Sequence, residues 1–159
     1  MSPYLQKIRA KLGPASFIHP AARILIENDR GEILVIERVD NGQLGLLAGA
    51  LEEHETIEAC IRREVAEETG LNLGELTLIS LSTDPQREQV TYPNGDQIQY
   101  FTAEFYAKVE GAKLAPADQA EVKAARFVPV AALQALPANE QSALESWRYF
   151  RAEGKVRVR

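Results

Sequence analysis

The chain has 159 residues, 45% of them hydrophobic and 26% charged. That is ordinary composition for one globular domain, which excludes disorder and collagen-like repetition. The formal charge of −5 argues against nucleic-acid binding through a broad basic surface.

No apolar run approaches the roughly 18 residues of a membrane span. The N-terminal stretch lacks the apolar core of a signal peptide, so a cytoplasmic protein is expected. Cys60 is the only cysteine, which leaves neither an internal disulfide nor a thiolate metal cluster.

Residues 3–12 read as a short helix, with Tyr4, Leu5, Ile8 and Leu12 near helical spacing and Gly13-Pro14 ending it. Residues 1–15 thus form an N-terminal helical extension of a single domain spanning 1–159. Residues 21–27 and 32–37 read as strands around an Asn-Asp-Arg-Gly turn, predicting a hairpin. Residues 39–54 read as a loop holding Gly42, Gly45 and Gly49. A helix is predicted over 56–69, with Glu55 and Glu58 at its positive end and Gly70 at its left-handed cap.

Residues 76–82 form the next strand. Residues 90–92 and 97–109 flank Pro93-Asn94-Gly95-Asp96, a strong hairpin signal. In the longer of these strands Phe101, Ala103, Phe105, Ala107 and Val109 share one face. A last strand is predicted over 125–130, with helices near 131–136 and 140–152 and a solvated tail over 155–159. Strands mixed with segregated helices predict an α/β or α+β sandwich.

The charge is concentrated. Glu52, Glu53, Glu55, Glu58, Glu64, Glu67 and Glu68 face only Arg62 and Arg63, so the whole formal excess lies within residues 52–68. Such a focus attracts cations. At about 100° per residue, Ile57, Ile61, Glu64, Val65 and Glu68 fall on one helix face. Glu64 and Glu68 therefore point inward, with Glu67 beside them. Burying uncompensated carboxylates is very costly, and Arg63 can neutralise one at most. A hard divalent cation, Mg²⁺ or Mn²⁺, is the economical counter-charge. The competing reading is a solvated acidic helix stabilised by pairs such as Glu58–Arg62.

Gly49, five residues, Glu55, seven residues and then Arg63-Glu64-Val65-Ala66-Glu67-Glu68-Thr69-Gly70-Leu71 resembles the Nudix box, G-x5-E-x7-R-E-U-x-E-E-x-G-U, where U is bulky and aliphatic. Every defined position is filled. The resemblance implies a Nudix-type α/β/α sandwich with a mixed sheet between helices. It also implies metal-dependent hydrolysis of the diphosphate in a nucleoside diphosphate linked to another moiety. Glu64, Glu67 and Glu68 would bind Mg²⁺ or Mn²⁺, helped by Glu52 and the Ala48 carbonyl. The cation would lower the pKa of a bound water. Arg63 would orient the glutamates, pairing with Glu55.

The loop departs from the usual family pattern: Leu47 stands for a proline, Ala48 for a glycine and His54 for a glycine. None of these removes a side-chain ligand. The general base lies in the box or on a downstream loop in family members, which points to Glu121, with Asp118 nearby. Glu121 also reads as an exposed loop glutamate.

Arg38, at the end of the second strand, is a candidate phosphate contact. Gly49 and Tyr92 are candidate substrate contacts, and Tyr100 and Arg87 would line the same side. Trp147, Tyr149 and Phe150 read as packing residues, and Cys60 as a small buried hydrophobe. His19 reads as structural. Many family members are homodimers, and the N-terminal helix would suit an interface. Two other functions compete: a Nudix-fold nucleotide-binding module without catalysis, and an isomerase. The isomerase would need a cysteine before the box, and Cys60 lies inside it.

Overall fold

The apolar run at residues 21–26 is interrupted only by Arg23 and buried on both sides, as in the middle strand of a covered sheet. A computed structural model describes residues 2–39, 41–115, 120 and 122–159. Helix α1 (Pro3–Leu12) leads into β1 (Phe17–Glu27), β2 (Ile33–Arg38), β3 (Leu44–Gly45) and β4 (Leu47–Ala50). Helix α2 (Ile57–Thr69) follows, then β5 (Thr77–Ser82), the single-turn α3 (Pro85–Glu88), β6 (Gln89–Thr91) and β7 (Gln97–Lys108). Then come β8 (Val122–Val128), a 3-10 turn (Val130–Ala135), α4 (Ala138–Glu153) and β9 (Arg157–Val158).

The sheet is mixed, in the order β3-β2-β1-β7-β5-β9. β1 and β7 run parallel along the whole of β1, which starts four residues before the predicted boundary because Phe17 to Pro20 pair with Ile98 to Phe101. The predicted hairpin of β1 and β2 closes only on Glu27–Ile33. The strands then part, and β4 takes the place beside β1 that a longer hairpin would fill. β2 pairs instead with β8 and β3.

One apolar cluster lies between the sheet and α2, built on Ile24, Ile26, Leu34, Ile61, Val65 and Phe105. The other lies under α4, built on Leu25, Val35, Leu46, Ile79, Leu144 and Trp147. Ala103, Phe105 and Ala107 share the α2 side, as their alternation predicts. Trp147 stacks on Tyr106 with ring centroids 6.2 Å apart, a packing role, whereas Tyr149 is exposed. Residues 155–159 are not a free tail. β9 joins β5 in parallel, and Arg159 N donates to Leu81 O at 3.0 Å.

Candidate active site

Helix α2 is fixed at both ends. Thr56 Oγ1 caps it by accepting from Ala59 N at 3.1 Å, and Gly70 closes it with φ 74°. A Cβ on Gly70 would also lie 2.5 Å from Ala115 O. Ile61 and Val65 are fully buried, Glu68 is buried beside them and Glu64 is half-buried. The predicted inward stripe is therefore real. Glu67, one position along, keeps half its side chain in solvent.

Arg63 ties this helix to the loop before it. Its guanidinium pairs with Glu55 at 2.8 Å, Glu64 at 2.7 Å and Glu67 at 3.5 Å. The bonds to Glu55 and Glu64 push Arg63 above its ordinary pKa, and the Arg63 bond holds the Glu55 carboxyl below its own. Glu55 Oε1 in turn accepts from Glu52 N at 2.9 Å. The Cys60 thiol donates to Ala50 O at 3.4 Å; burial pushes its pKa to about 12, so it stays a protonated donor. Backbone 49–55 is thus bound to the helix from several sides.

Each departure in this loop has a defined place in the fold. Leu47 is fully buried in the core. Ala48 and Gly49 pair with Arg23 and Ala22 of β1. His54 has φ 67° and is the one non-glycine residue with positive φ among the described residues. It adopts the conformation that glycine favours.

Part of this loop and of α2 borders one cleft of about 1040 Å³. Glu52, Glu64, Glu67, Glu68, Arg63, Ala48 and Gly49 line it near α2, and Arg38, Arg87, Tyr92 and Tyr100 line it elsewhere. The Tyr92 and Tyr100 hydroxyls are 2.6 Å apart. Glu121 and Asp118 lie outside the described residues.

Among the described residues, no three acidic, imidazole or thiol side chains converge closely enough to enclose a cation as they stand. The geometry gives the reason: Glu64 is turned onto Arg63 and Glu67 toward solvent. The donor chemistry still fits a hard divalent cation, because the carboxylates of Glu52, Glu64, Glu67 and Glu68 border the same side of one cleft. Glu52 Oε1 is also buried without a hydrogen-bond partner among the described residues.

One feature of the cleft has only a faint local signal in the sequence. Arg23 of β1 is buried with Glu104 of β7 at 2.9 Å and Glu88 of α3 at 3.2 Å. Thr102 Oγ1 donates to the same Glu88 at 2.9 Å. Glu140, at the start of α4, accepts from Leu46 N at 2.6 Å and from Arg38 at 3.4 Å, and burial raises its pKa. Arg23, Glu88 and Glu140 all line the cleft. The available hint is charge within apolar strands, Arg23 in ARILI and Glu104 in TAEFYA.

The family model described as NUDIX domain matches residues 17–149. The chain belongs to the NUDIX family. Its Nudix box runs from Gly49 to Leu71 across β4 and α2. It is 34% identical over 110 residues to an ADP-ribose pyrophosphatase of Methanocaldococcus jannaschii; the match covers 66% of this chain and 60% of that protein. The NUDIX domain of Shewanella oneidensis NrtR, solved with ADP ribose, superposes with a TM-score of 0.66 at 20% identity, covering 93% of this chain and 97% of that one. An ADP-ribose pyrophosphatase of Streptococcus suis gives a TM-score of 0.66 at 18% identity, covering 89% and 98%. These structures share the Nudix fold. No helix among the described residues is long and apolar enough to cross a membrane.

Proposed function

We propose that this chain is a divalent-cation-dependent diphosphohydrolase that cleaves the diphosphate of a nucleoside diphosphate linked to another moiety. The observation that carries this reading is the gathering of Glu52, Glu64, Glu67 and Glu68 with Arg63 along one cleft. Glu64, Glu67, Glu68 and Glu52 would hold Mg²⁺ or Mn²⁺, with the Ala48 carbonyl. When bound, the cation would supply charge neutralisation at the diphosphate and a more acidic water.

The chain's own residues do the positioning on which phosphoryl chemistry depends. Arg63 keeps Glu64 beside Gly49 and holds Glu55 against the Glu52 amide. Arg38 and Arg87 offer fixed positive charge to phosphate oxygens, and Tyr92 offers a ring and a hydroxyl to the attached moiety. Glu121, just before β8 in the sequence, is the candidate general base.

ADP-ribose is the first substrate to test, since the curated Methanocaldococcus relative is an ADP-ribose pyrophosphatase by name and the Shewanella domain was solved with ADP ribose. We place the protein in the cytoplasm and expect a homodimer, which light scattering checks. The functional experiment follows release of the nucleoside monophosphate from ADP-ribose, nucleotide sugars and nucleoside triphosphates by chromatography, with Mg²⁺ or Mn²⁺, with and without chelator. Chelator-sensitive release that falls at least a hundredfold in Glu68→Gln is expected, roughly the weight of one group acting on transition-state charge. Tight nucleotide binding with no turnover would instead make this a binding module.

A further inference from the structure

The family match begins at Phe17, so α1 lies outside it. The helix nevertheless belongs to the cleft. Ser2, Pro3 and Leu5 line it, and Leu5 is 1% exposed. The Tyr4 backbone N–H donates to Glu52 Oε2 at 3.1 Å. It is one of the first-turn amides that no helical carbonyl can reach, and the positive helix end favours a carboxylate there. Glu52 Oε1 is left without a hydrogen-bond partner among the described residues, so its lone pairs are available to a cation. The Tyr4 ring also lies 5.8 Å from that of His19, whose Nε2 bonds Leu51 O at 3.0 Å, one residue before Glu52.

The other end of α1 holds the substrate side. Arg9 Nε sits 3.2 Å from Asp96 Oδ2, with both side chains largely buried. Arg9 also donates to Gln97 O at 3.2 Å, and its guanidinium lies over the Phe17 ring at 4.8 Å. Asp96 closes the turn between β6 and β7, because its carbonyl accepts from Tyr92 N at 2.8 Å. Tyr92 lines the cleft. One helix thus grips the carboxylate loop with its first turn and the Tyr92 turn with its last.

We propose that α1 is a working part of this active site: the Tyr4 amide positions Glu52 toward the bound cation, and Arg9 holds the Tyr92 turn at the spacing the substrate requires. The inference rests on Glu52 being a cation ligand, as the proposed function has it. Tyr4 and Arg9 are positioning residues, since neither side chain need touch the reacting atoms.

The test uses the full chain, with Mn²⁺ binding followed by calorimetry beside steady-state kinetics on ADP-ribose. Tyr4→Pro removes the amide at a first-turn position where proline is tolerated, and Tyr4→Ala keeps the amide but loses the ring. Tyr4→Pro should bind Mn²⁺ about tenfold more weakly, and Tyr4→Ala within about twofold of the wild type, as loss of one hydrogen bond to a carboxylate dictates. Arg9→Ala should raise KM about tenfold with kcat nearly unchanged, and Arg9→Asp with Asp96→Arg should restore part of the loss. Equal Mn²⁺ affinity in folded Tyr4→Pro and Tyr4→Ala overturns the proposal. If Tyr4→Pro does not fold, an unchanged KM in Arg9→Ala overturns it instead. A wild-type protein that binds no Mn²⁺ overturns the functional reading beneath, and α1 loses this role with it.

Discussion

Gly49 and Glu64 occupy one space: a Cβ on residue 49 would lie 2.2 Å from Glu64 Cγ, Cδ and Oε1. The box needs glycine here because the loop backbone must approach a carboxylate that is held in place by Arg63. Gly49→Ala should therefore leave the fold nearly intact, since the displaced atoms end a flexible side chain. Glu64 must move, however. Activity should fall at least about tenfold while the melting temperature changes by only a few degrees, a split that kinetics and thermal denaturation can read. Full activity in Gly49→Ala would mean that the seat of Glu64 is irrelevant to turnover.

Arg63 engages Glu55 through two nitrogens and Glu64 through a third contact. Lysine keeps the charge but cannot reproduce that fork. Arg63→Lys should lose about 1–2 kcal/mol of stability and most of the activity. Acid titration adds a second readout. A depressed Glu55 pKa gives stability that is present above the ordinary carboxyl value of 4.5 and lost as pH falls through the folded value. Arg63→Met removes the largest cause of that depression. Its stability should then decline less steeply below that value than the wild type's.

His54 has the backbone of a glycine, with φ 67°. A non-glycine residue there costs about 1–2 kcal/mol, partly offset by the lower chain entropy lost on folding. His54→Gly should raise stability by up to about 1 kcal/mol and leave kcat unchanged. A marked fall in kcat would show that the imidazole contacts substrate.

Legibility followed the range of the interaction. Helix α2 could be read whole, because its caps, its apolar stripe and its inward glutamates all repeat within a few residues. The long strand β7 showed its two faces by simple alternation. β3 and β4 were hidden inside a predicted loop, since pairings two and four residues long give no period. β9 was hidden because its two residues gain their meaning from β5, far away in sequence. The Arg23–Glu88 bond joins residues 65 apart, so no local pattern could announce it. The brace between Tyr4 and Glu52 spans 48 residues and is equally invisible to local pattern, although the spacing of α1 itself is legible.

His19 makes the last of these long-range contacts testable by pH alone. It is 2% exposed, and its ring meets Tyr4 from α1, Phe17 from its own strand and Tyr100 from β7. Burial lowers its pKa, against smaller opposing effects from the Leu51 carbonyl bond and the Glu52 charge. The neutral ring is thus favoured in the fold, while the unfolded chain takes up its proton near 6.5. The unfolded state then binds more protons below that value, so stability is fully present above it and falls as pH drops toward the folded pKa. His19→Gln keeps a donor for the Leu51 carbonyl and cannot titrate. The wild type should lose more melting temperature than His19→Gln between pH about 7.5 and about 5.5. Parallel curves would show that His19 does not titrate differently in the two states.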